Sequence, residues 1–353
     1  MTASDADHGA APSALRAALP GNGRESGAGQ SGHYSPLVPW ACPNHLLPLE
    51  TDDSALACPL GESFPVRGGV PRFVGNAGYA EAFGAQWLKY PLTQLDSHTG
   101  LPISEERARR SLGDELWHSL AGKSVLECGC GAGRFTEVLL NRGARVTSID
   151  LSEAAAVNAA AFPPGPSHRV AQADVLRLPF APRGFDIVFC LGVVQHTPSP
   201  EATMHALYDH VAPAGWLVID HYHHVILTRV TQQLLRLVFL RMNPDTSLRW
   251  SQALVRTMLP LHKRLRRHER LFARVSPVVS NYQSYPALEA RLKDEWAALD
   301  THDALTDRYK HRRSAGSLRR TLESFGACDI VAVRGGNGVE ARARRPGISR
   351  RLS

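Results

Sequence analysis

The chain has no run approaching the roughly 18 consecutive apolar residues that a membrane-spanning helix requires, and the stretch after Met1 lacks the basic-then-apolar order of a secretory signal. Both features lead to the expectation of a cytoplasmic protein. Cysteine is scarce, with six in 353 residues. Cys128, Cys130 and Cys190 fall in or beside apolar runs, while Cys42 and Cys58 stand apart near the N-terminus. That distribution excludes a disulfide framework and fits a reducing compartment. What is present, 43% hydrophobic and 21% charged residues, suits one large domain with a small appendage.

The net charge of +7 is unevenly placed. Between His221 and Val275 eleven basic residues stand against Asp245 and Glu269, a surplus of 9, so the remainder of the chain is slightly acidic. Aromatics interleaved with those cations are few, chiefly Trp250 and Phe272, which gives little support to stacking on nucleic acid bases.

Composition divides the chain into segments. Residues 1–38, rich in Ala, Gly, Ser and Asp, hold too little apolar surface to offset ordering entropy and read as a disordered leader. Short apolar pieces broken by Pro and Gly over 39–75 read as a ribbon-like module, and 76–120 as a helical cap. Strand and helix patterns then alternate through 121–222, with strands expected at Ser124–Cys128, Arg145–Asp150, Arg169–Ala173, Phe185–Leu191 and Trp216–Tyr222. Met204, Leu207, Tyr208 and Val211 recur at helical spacing between the last two. A basic, amphipathic stretch over 223–285 reads as an inserted lid whose apolar faces pack on the core. Residues 286–345 return to the core, with Leu318, Leu322 and Phe325 on a last helix closed by Gly326 and a terminal hairpin across Gly335, Gly336 and Asn337. Residues 346–353 read as a tail.

The strongest motif is VLECGCGAGRF, an apolar strand ending at Glu127, three alternate glycines, and a helix opened by Phe135, Val138 and Leu139. Glycine suits a sharp turn whose backbone must approach a ligand at a helix N-terminus. Dinucleotide folds share much of this pattern, but their third glycine would fall at position 134, where this chain has Arg134. Asp150 ends the second strand, placed to accept hydrogen bonds from a ribose.

With acid-x-Gly-x-Gly-x-Gly, the chain resembles the class I S-adenosylmethionine-dependent methyltransferases. The resemblance implies a Rossmann-like, doubly wound, seven-stranded α/β sheet. It also implies S-adenosylmethionine as cofactor, with Glu127 near its amino group and Gly129, Cys130, Gly131 and Gly133 making room for its amino acid moiety. Asp150 and Leu151 would meet the ribose, Asp174 and Val175 the adenine, and Leu191 the underside of the site. The segments FGAQWLKYPLTQLDSHTGLPIS, LDTHDALTDRYKHRRS and GGNGVEARARRP look like a bacterial subgroup of these enzymes, whose N-terminal helix would bring Gln86 and Trp87 over the cofactor.

Methyl transfer from a sulfonium needs alignment and exclusion of water, and a base only where the acceptor loses a proton. Candidate bases are His196, favoured by its position after the fourth strand, and His221 or His223 at the end of the fifth, with Asp220 able to orient a neighbouring imidazole. Tyr309, Lys310 and His311 are candidate acceptor contacts. In the N-terminal module two residues separate Cys42 and His45, twelve more precede Cys58, and Glu62 follows after three. The layout resembles zinc ribbons attached to some methyltransferases, and it leaves two alternatives: a zinc site of unusual composition, or a ribbon that keeps its shape without metal.

The acceptor implied is a small molecule such as a sugar, quinone or secondary metabolite. The N/D-P-P-Y/F motif that many base-amino methyltransferases use is absent, the equivalent loop reading LGVVQHTP, and there is no cysteine pair of the kind that attacks pyrimidines. The alternatives are an RNA methyltransferase, with the basic stretch on phosphates, and an enzyme acting on a lipid-linked acceptor, with that stretch on a membrane surface.

Overall fold

In a computed structural model the described residues are 37–347, apart from 53, 76, 224–229, 269–274, 281–284 and 337. Nearly all of the expected leader and most of the tail therefore lie outside the described residues, as does Asn337 of the expected hairpin turn.

The N-terminal module is a four-stranded antiparallel sheet in sequential order, β1 (Glu50–Thr51), β2 (Ala55–Ala57), β3 (Ser63–Arg67) and β4 (Val70–Pro71). Gly68 and Gly69, with φ of +58° and +75°, make the two-residue turn between β3 and β4, whose twist matches that of paired strands. The module docks on one edge of the main sheet. Phe73 N donates to Gln172 O at 2.9 Å, and Trp40 stacks on Phe180 at 5.1 Å with the Arg169 guanidinium 4.0 Å from its ring.

A 3-10 turn at Gly78–Ala80, α1 (Glu81–Lys89), α2 (Asp96–Thr99) and α3 (Ile103–His118) form the helical cap. The core follows with β5 (Ser124–Cys128), α4 (Arg134–Asn141), β6 (Arg145–Asp150), α5 (Ala154–Ala161), β7 (His168–Gln172), β8 (Phe185–Cys190), a 3-10 turn at Val194–His196, α6 (Pro200–Asp209) and β9 (Val211–Tyr222). After the inserted α7 (Val230–Phe239) and α8 (Pro244–Arg264) come α9 (Ala290–Thr306), α10 (Ala315–Ser324), β10 (Cys328–Gly335) and β11 (Gly338–Arg344). The main sheet has seven strands in the order β10-β11-β9-β8-β5-β6-β7, with β11 antiparallel to both neighbours and β5 to β9 parallel. The Rossmann-like, doubly wound reading holds.

Alternation along each strand builds two cores. Leu126, Ile149, Val188, Leu217 and Ile219 face α6 and α10 through Met204, Leu207, Leu318 and Leu322. Val125, Val146, Ile187, Phe189 and Val218 face α3 and α4 through Leu112, Phe135 and Leu139. Helix starts obey capping chemistry: Ser199, Asn243 and Ser314 each accept from the backbone N–H three residues on, the first two with Pro at the first helical position.

Helix α9 packs against α1, α7 and α8, and the next helix packed on the sheet starts at Ala315. Two expectations change. Val211 is the first residue of β9 rather than the last of a helical face, although it is fully buried in the expected core. And α7 does not turn its apolar face inward: Val230, Leu234, Leu237 and Val238 are more than half exposed, while Gln232 and Arg236 are buried.

Phe189, fully buried near the end of β8, reports on the core. Phe189→Ala is expected to cost about 3–5 kcal/mol in a denaturant titration followed by circular dichroism; a loss within about 0.5 kcal/mol would contradict the packing described.

Candidate active site

The sheet changes winding direction between β5 and β8, the place where open α/β sheets leave a crevice beyond their strand ends. There the chain leaves β5 through Gly129 (φ +72°), Gly131 (+53°) and Gly133 (+105°). Ile149 O at the end of β6 holds the first turn, accepting from Gly129 N at 2.8 Å and Cys130 N at 3.0 Å. The turn after β8 closes in from below, with Gly192 at φ +80° and its N–H donating to Asp220 Oδ1 at 2.6 Å. A Cβ on Gly129 would stand 2.1 Å from Val193 Cγ2, and one on Gly131 would stand 3.0 Å from Trp87 Cε2. Only a chain without side chains passes between these two groups.

Beyond the loop lies a cavity of about 790 Å³, lined by residues of the loop, the β6, β8 and β9 ends, the cap, α7 and α9. Of the predicted cofactor residues, Gly129, Cys130, Gly131, Asp150, Leu151, Val175, Leu191, Gln86 and Trp87 line it. Asp150 receives Gly131 N on Oδ2 at 3.0 Å and Ser152 N and Oγ on Oδ1 at 2.9 and 2.7 Å. Burial nevertheless raises its pKa above the ordinary carboxylate value. Gln86 is committed elsewhere, its amide oxygen 2.9 Å from His302 Nδ1.

Glu127, Gly133 and Asp174 are not on the cavity wall. Glu127 is buried behind the loop, where Oε2 accepts from Thr136 Oγ1 at 2.6 Å and Ser148 Oγ at 2.8 Å while Oε1 has no partner; burial pushes its pKa up to about 7. A Cβ on Gly133 would stand 2.5 Å from Phe162 Cε2, so this glycine lets α4 pack rather than admitting a ligand. Asp174 accepts from Leu176 N at 2.9 Å, an Asx turn that presents Val175 to the cavity.

The three candidate bases separate. His196 and His223 line the cavity, and His221 does not. Side chains alternate along β9, so His221 points to the opposite face from Asp220 and Tyr222. Among the described residues Asp220 hydrogen-bonds no imidazole; it receives the Arg107 guanidinium and Gly192 N. His196 Nδ1 lies 3.1 Å from Tyr309 O and Nε2 lies 3.2 Å from the Tyr222 hydroxyl. A carbonyl can only accept, so these partners assign the proton to Nδ1 and leave the Nε2 lone pair facing Tyr222. Burial lowers the His196 pKa and favours the neutral ring.

Lys310 lines the cavity, whereas Tyr309 and His311 do not. Tyr309 gives its carbonyl to His196 and packs its ring edge-on against Tyr79 at 5.5 Å. Sequence reasoning did not find Tyr222, Tyr79, Phe83 or Arg107. Tyr222 had one usable signal, its two-residue spacing from Asp220 at the carboxyl end of a strand. Phe83 had its place one helical turn before Gln86 and Trp87, whereas Tyr79 and Arg107 had none, because their place over the crevice is set by tertiary packing.

In the ribbon, the expected ligand set does converge. Cys42 Sγ and Cys58 Sγ each lie 3.4 Å from His45 Nδ1, and Glu62 Oε2 lies 2.8 Å from Cys42 Sγ and 3.3 Å from His45 Nδ1. One donor atom from each of the four lies within 4.8 Å of every other.

Sheet order, glycine turn and crevice together match what the resemblance to class I S-adenosylmethionine-dependent methyltransferases implies. Comparison with known proteins agrees: residues 126–219 match the family described as Methyltransferase domain. Among curated relatives, the ubiquinone biosynthesis O-methyltransferase of Pseudomonas entomophila is 39% identical over 101 residues, 28% of this chain and 43% of that protein. Its namesake from Azotobacter vinelandii is 39% identical over 99 residues, 27% and 43% of the two chains. The chain thus spans less than half the length of these relatives. Among solved structures, a methyltransferase from Mesorhizobium loti has a TM-score of 0.42 at 16% identity, covering 69% of this chain and 98% of the other. One from Thermotoga maritima, titled a possible histamine N-methyltransferase, has a TM-score of 0.42 at 13% identity, covering 76% and 99%.

Asp150 is the polar side chain at the loop that both lines the cavity and can accept from a ribose. Asp150→Ala is expected to weaken S-adenosylmethionine binding about 100-fold by calorimetry, the loss of two hydrogen bonds to a charged group. Unchanged affinity in a folded variant would remove Asp150 from the cofactor site.

Proposed function

We propose that the chain transfers a methyl group from S-adenosylmethionine to the hydroxyl of a small molecule, with His196 as the base. The residues at the crevice fit the cofactor. The glycine turn lets the backbone pass between Val193 and Trp87 at the cavity wall, the α4 N-terminus suits a carboxylate, and Asp150, Val175 and Leu191 line the same cavity, which supports a nucleoside there. When bound, the cofactor supplies an electrophilic methyl group.

The chain's part is to hold the acceptor, exclude water and take its proton. The observation that carries the reading is the pair formed by His196 Nε2 and the Tyr222 hydroxyl at the cavity wall. An acceptor hydroxyl gives its proton to the Tyr222 oxygen as the Tyr222 proton passes to Nε2. The resulting imidazolium is stabilised by the Tyr309 carbonyl on Nδ1 and by Asp307 Oδ2 at 3.6 Å. Phe83, Trp87, Tyr285 and Trp296 give the cavity flat apolar walls suited to an aromatic or quinone-like acceptor, and the names of the curated relatives support transfer to oxygen.

His196→Ala is expected to lower kcat about 10²- to 10⁴-fold while calorimetric binding of S-adenosylmethionine survives; unchanged turnover would remove His196 from the mechanism. The pH profile gives an independent check. A base whose pKa is depressed below 6.5 stays competent below that pH, so the acidic limb of kcat/KM is expected below 6.5 and to vanish in the variant.

We further propose that Cys42, His45, Cys58 and Glu62 hold a structural zinc ion. The support is the approach of four donor atoms from two turns of the ribbon, with a ligand number and donor chemistry that tetrahedral zinc accepts. Protein purified without chelator is expected to carry close to one zinc by mass spectrometry, and Cys42→Ser with Cys58→Ser to lose it. Absence of stoichiometric metal would leave the ribbon as a purely packed module.

A further inference from the structure

Helix α7 is amphipathic in the wrong sense for a helix of a self-contained globule. Its inward side carries Gln232, Arg236 and Phe239, each no more than 8% exposed. Arg236 pairs with Asp307 and donates to Asp307 O at 2.7 Å and Ala304 O at 3.2 Å, and Gln232 donates to Pro277 O at 3.4 Å. Its outward side carries Val230, Leu234, Leu237 and Val238, exposed by 63, 61, 56 and 53%. Positions i, i+4, i+7 and i+8 form one stripe. Leu240, at 40%, continues the apolar surface past the helix end. An ordinary surface helix buries such a stripe and exposes its arginine, so this face is built for contact with something apolar that is not part of the described chain.

Charge selects the occupant. The segment holding α7 and α8 carries eleven basic residues against two acidic ones, and Arg241, Arg249, Arg256 and Arg264 are exposed. Trp250 on α8 is also 60% exposed, an aromatic of the kind that settles at a polar–apolar boundary. A second copy of the chain would bring the same cations face to face. An anionic bilayer answers both features, accepting the apolar stripe among its acyl chains and the arginines among its headgroups. The long helix α8 is too polar to cross a membrane, and no described helix is long and apolar enough to do so, so the contact lies along the surface.

We propose that α7, with its exposed apolar stripe and the exposed arginines of the same basic segment, is the surface by which this protein binds an anionic membrane. The same helix contributes Gln232 to the cavity wall, so a membrane-seated α7 places the cavity next to the lipid. The proposal rests on the helix and not on methyl transfer.

The full chain would be mixed at low salt with vesicles of phosphatidylcholine alone or with phosphatidylglycerol added, and sedimented. The expected result is pelleting with the anionic vesicles only, lost at high salt. Leu234→Glu with Leu237→Glu, and separately Arg249→Glu with Arg256→Glu, should each reduce the bound fraction at least about tenfold. All four residues lie outside the cavity wall, so calorimetric binding of S-adenosylmethionine should be unaltered, and a failure of membrane binding stays distinct from a failure of the methyltransferase reading. Failure of the wild-type chain to pellet with anionic vesicles would overturn the proposal. So would analytical ultracentrifugation showing a dimer that Leu234→Glu with Leu237→Glu dissociates, which would assign the stripe to a second copy.

Discussion

The structure turns on the contact between two tight turns at the middle of the sheet. Gly129 after β5 lies so close to Val193 after β8 that no other residue fits at the first position. Each turn is held by the strand next to it, the first by the Ile149 carbonyl and the second by the Asp220 carboxylate. Asp220 is itself buried against Arg107 of α3, so the cap, the β9 end and the glycine turn are fixed together. A buried carboxylate is tolerated only when its charge is answered and its lone pairs are filled. Here those demands tie the cap over the crevice, and the cavity exists because of that tie.

A second buried carboxylate does the same beside His196. Asp307, with no exposed surface, meets Arg236 from α7 and Lys310 from its own loop at 2.9 Å, and it stands beside His196. The cation from α7 thus helps set the loop whose Tyr309 carbonyl fixes the His196 tautomer. This is the physical reason for the reversed helix. Its arginine is spent inward on the site, and with Arg236 and Gln232 occupying the inner face the leucines are left outside.

Periodicity and turn chemistry made the core legible: β5 begins and ends where the apolar run does, and the hairpin of β10 and β11 forms at its two glycines. The glycine loop, Asp150, Leu191 and His196 were legible because strand ends in this architecture converge. What the chain's linear order hid was direction. Glu127 belongs to the motif, and one of its oxygens is held by Thr136 and Ser148 behind the loop while the other has no partner. His221 sits next to two cavity residues and faces away from both, since neighbouring strand residues point to opposite faces. The lid helix carried the expected amphipathic pattern, but a hydrophobic stripe alone does not say which side is out. A buried ion-pair partner sixty residues and more downstream decided that.

The basic stretch between β9 and α9 also bears on an RNA acceptor, since eleven cations are as suited to phosphate as to lipid headgroups. The distribution of apolar surface separates the two. A groove that follows a nucleic acid backbone needs cations with interleaved aromatic platforms. Among the described residues, α7 instead presents four adjacent aliphatic side chains, and Trp250 is the exposed ring of this segment. Aliphatic surface gains nothing against a hydrated phosphate chain, whereas burying it among acyl chains returns its full hydrophobic contribution. Charge alone leaves both partners open, and the outward leucines are what favours the proposed membrane surface over RNA.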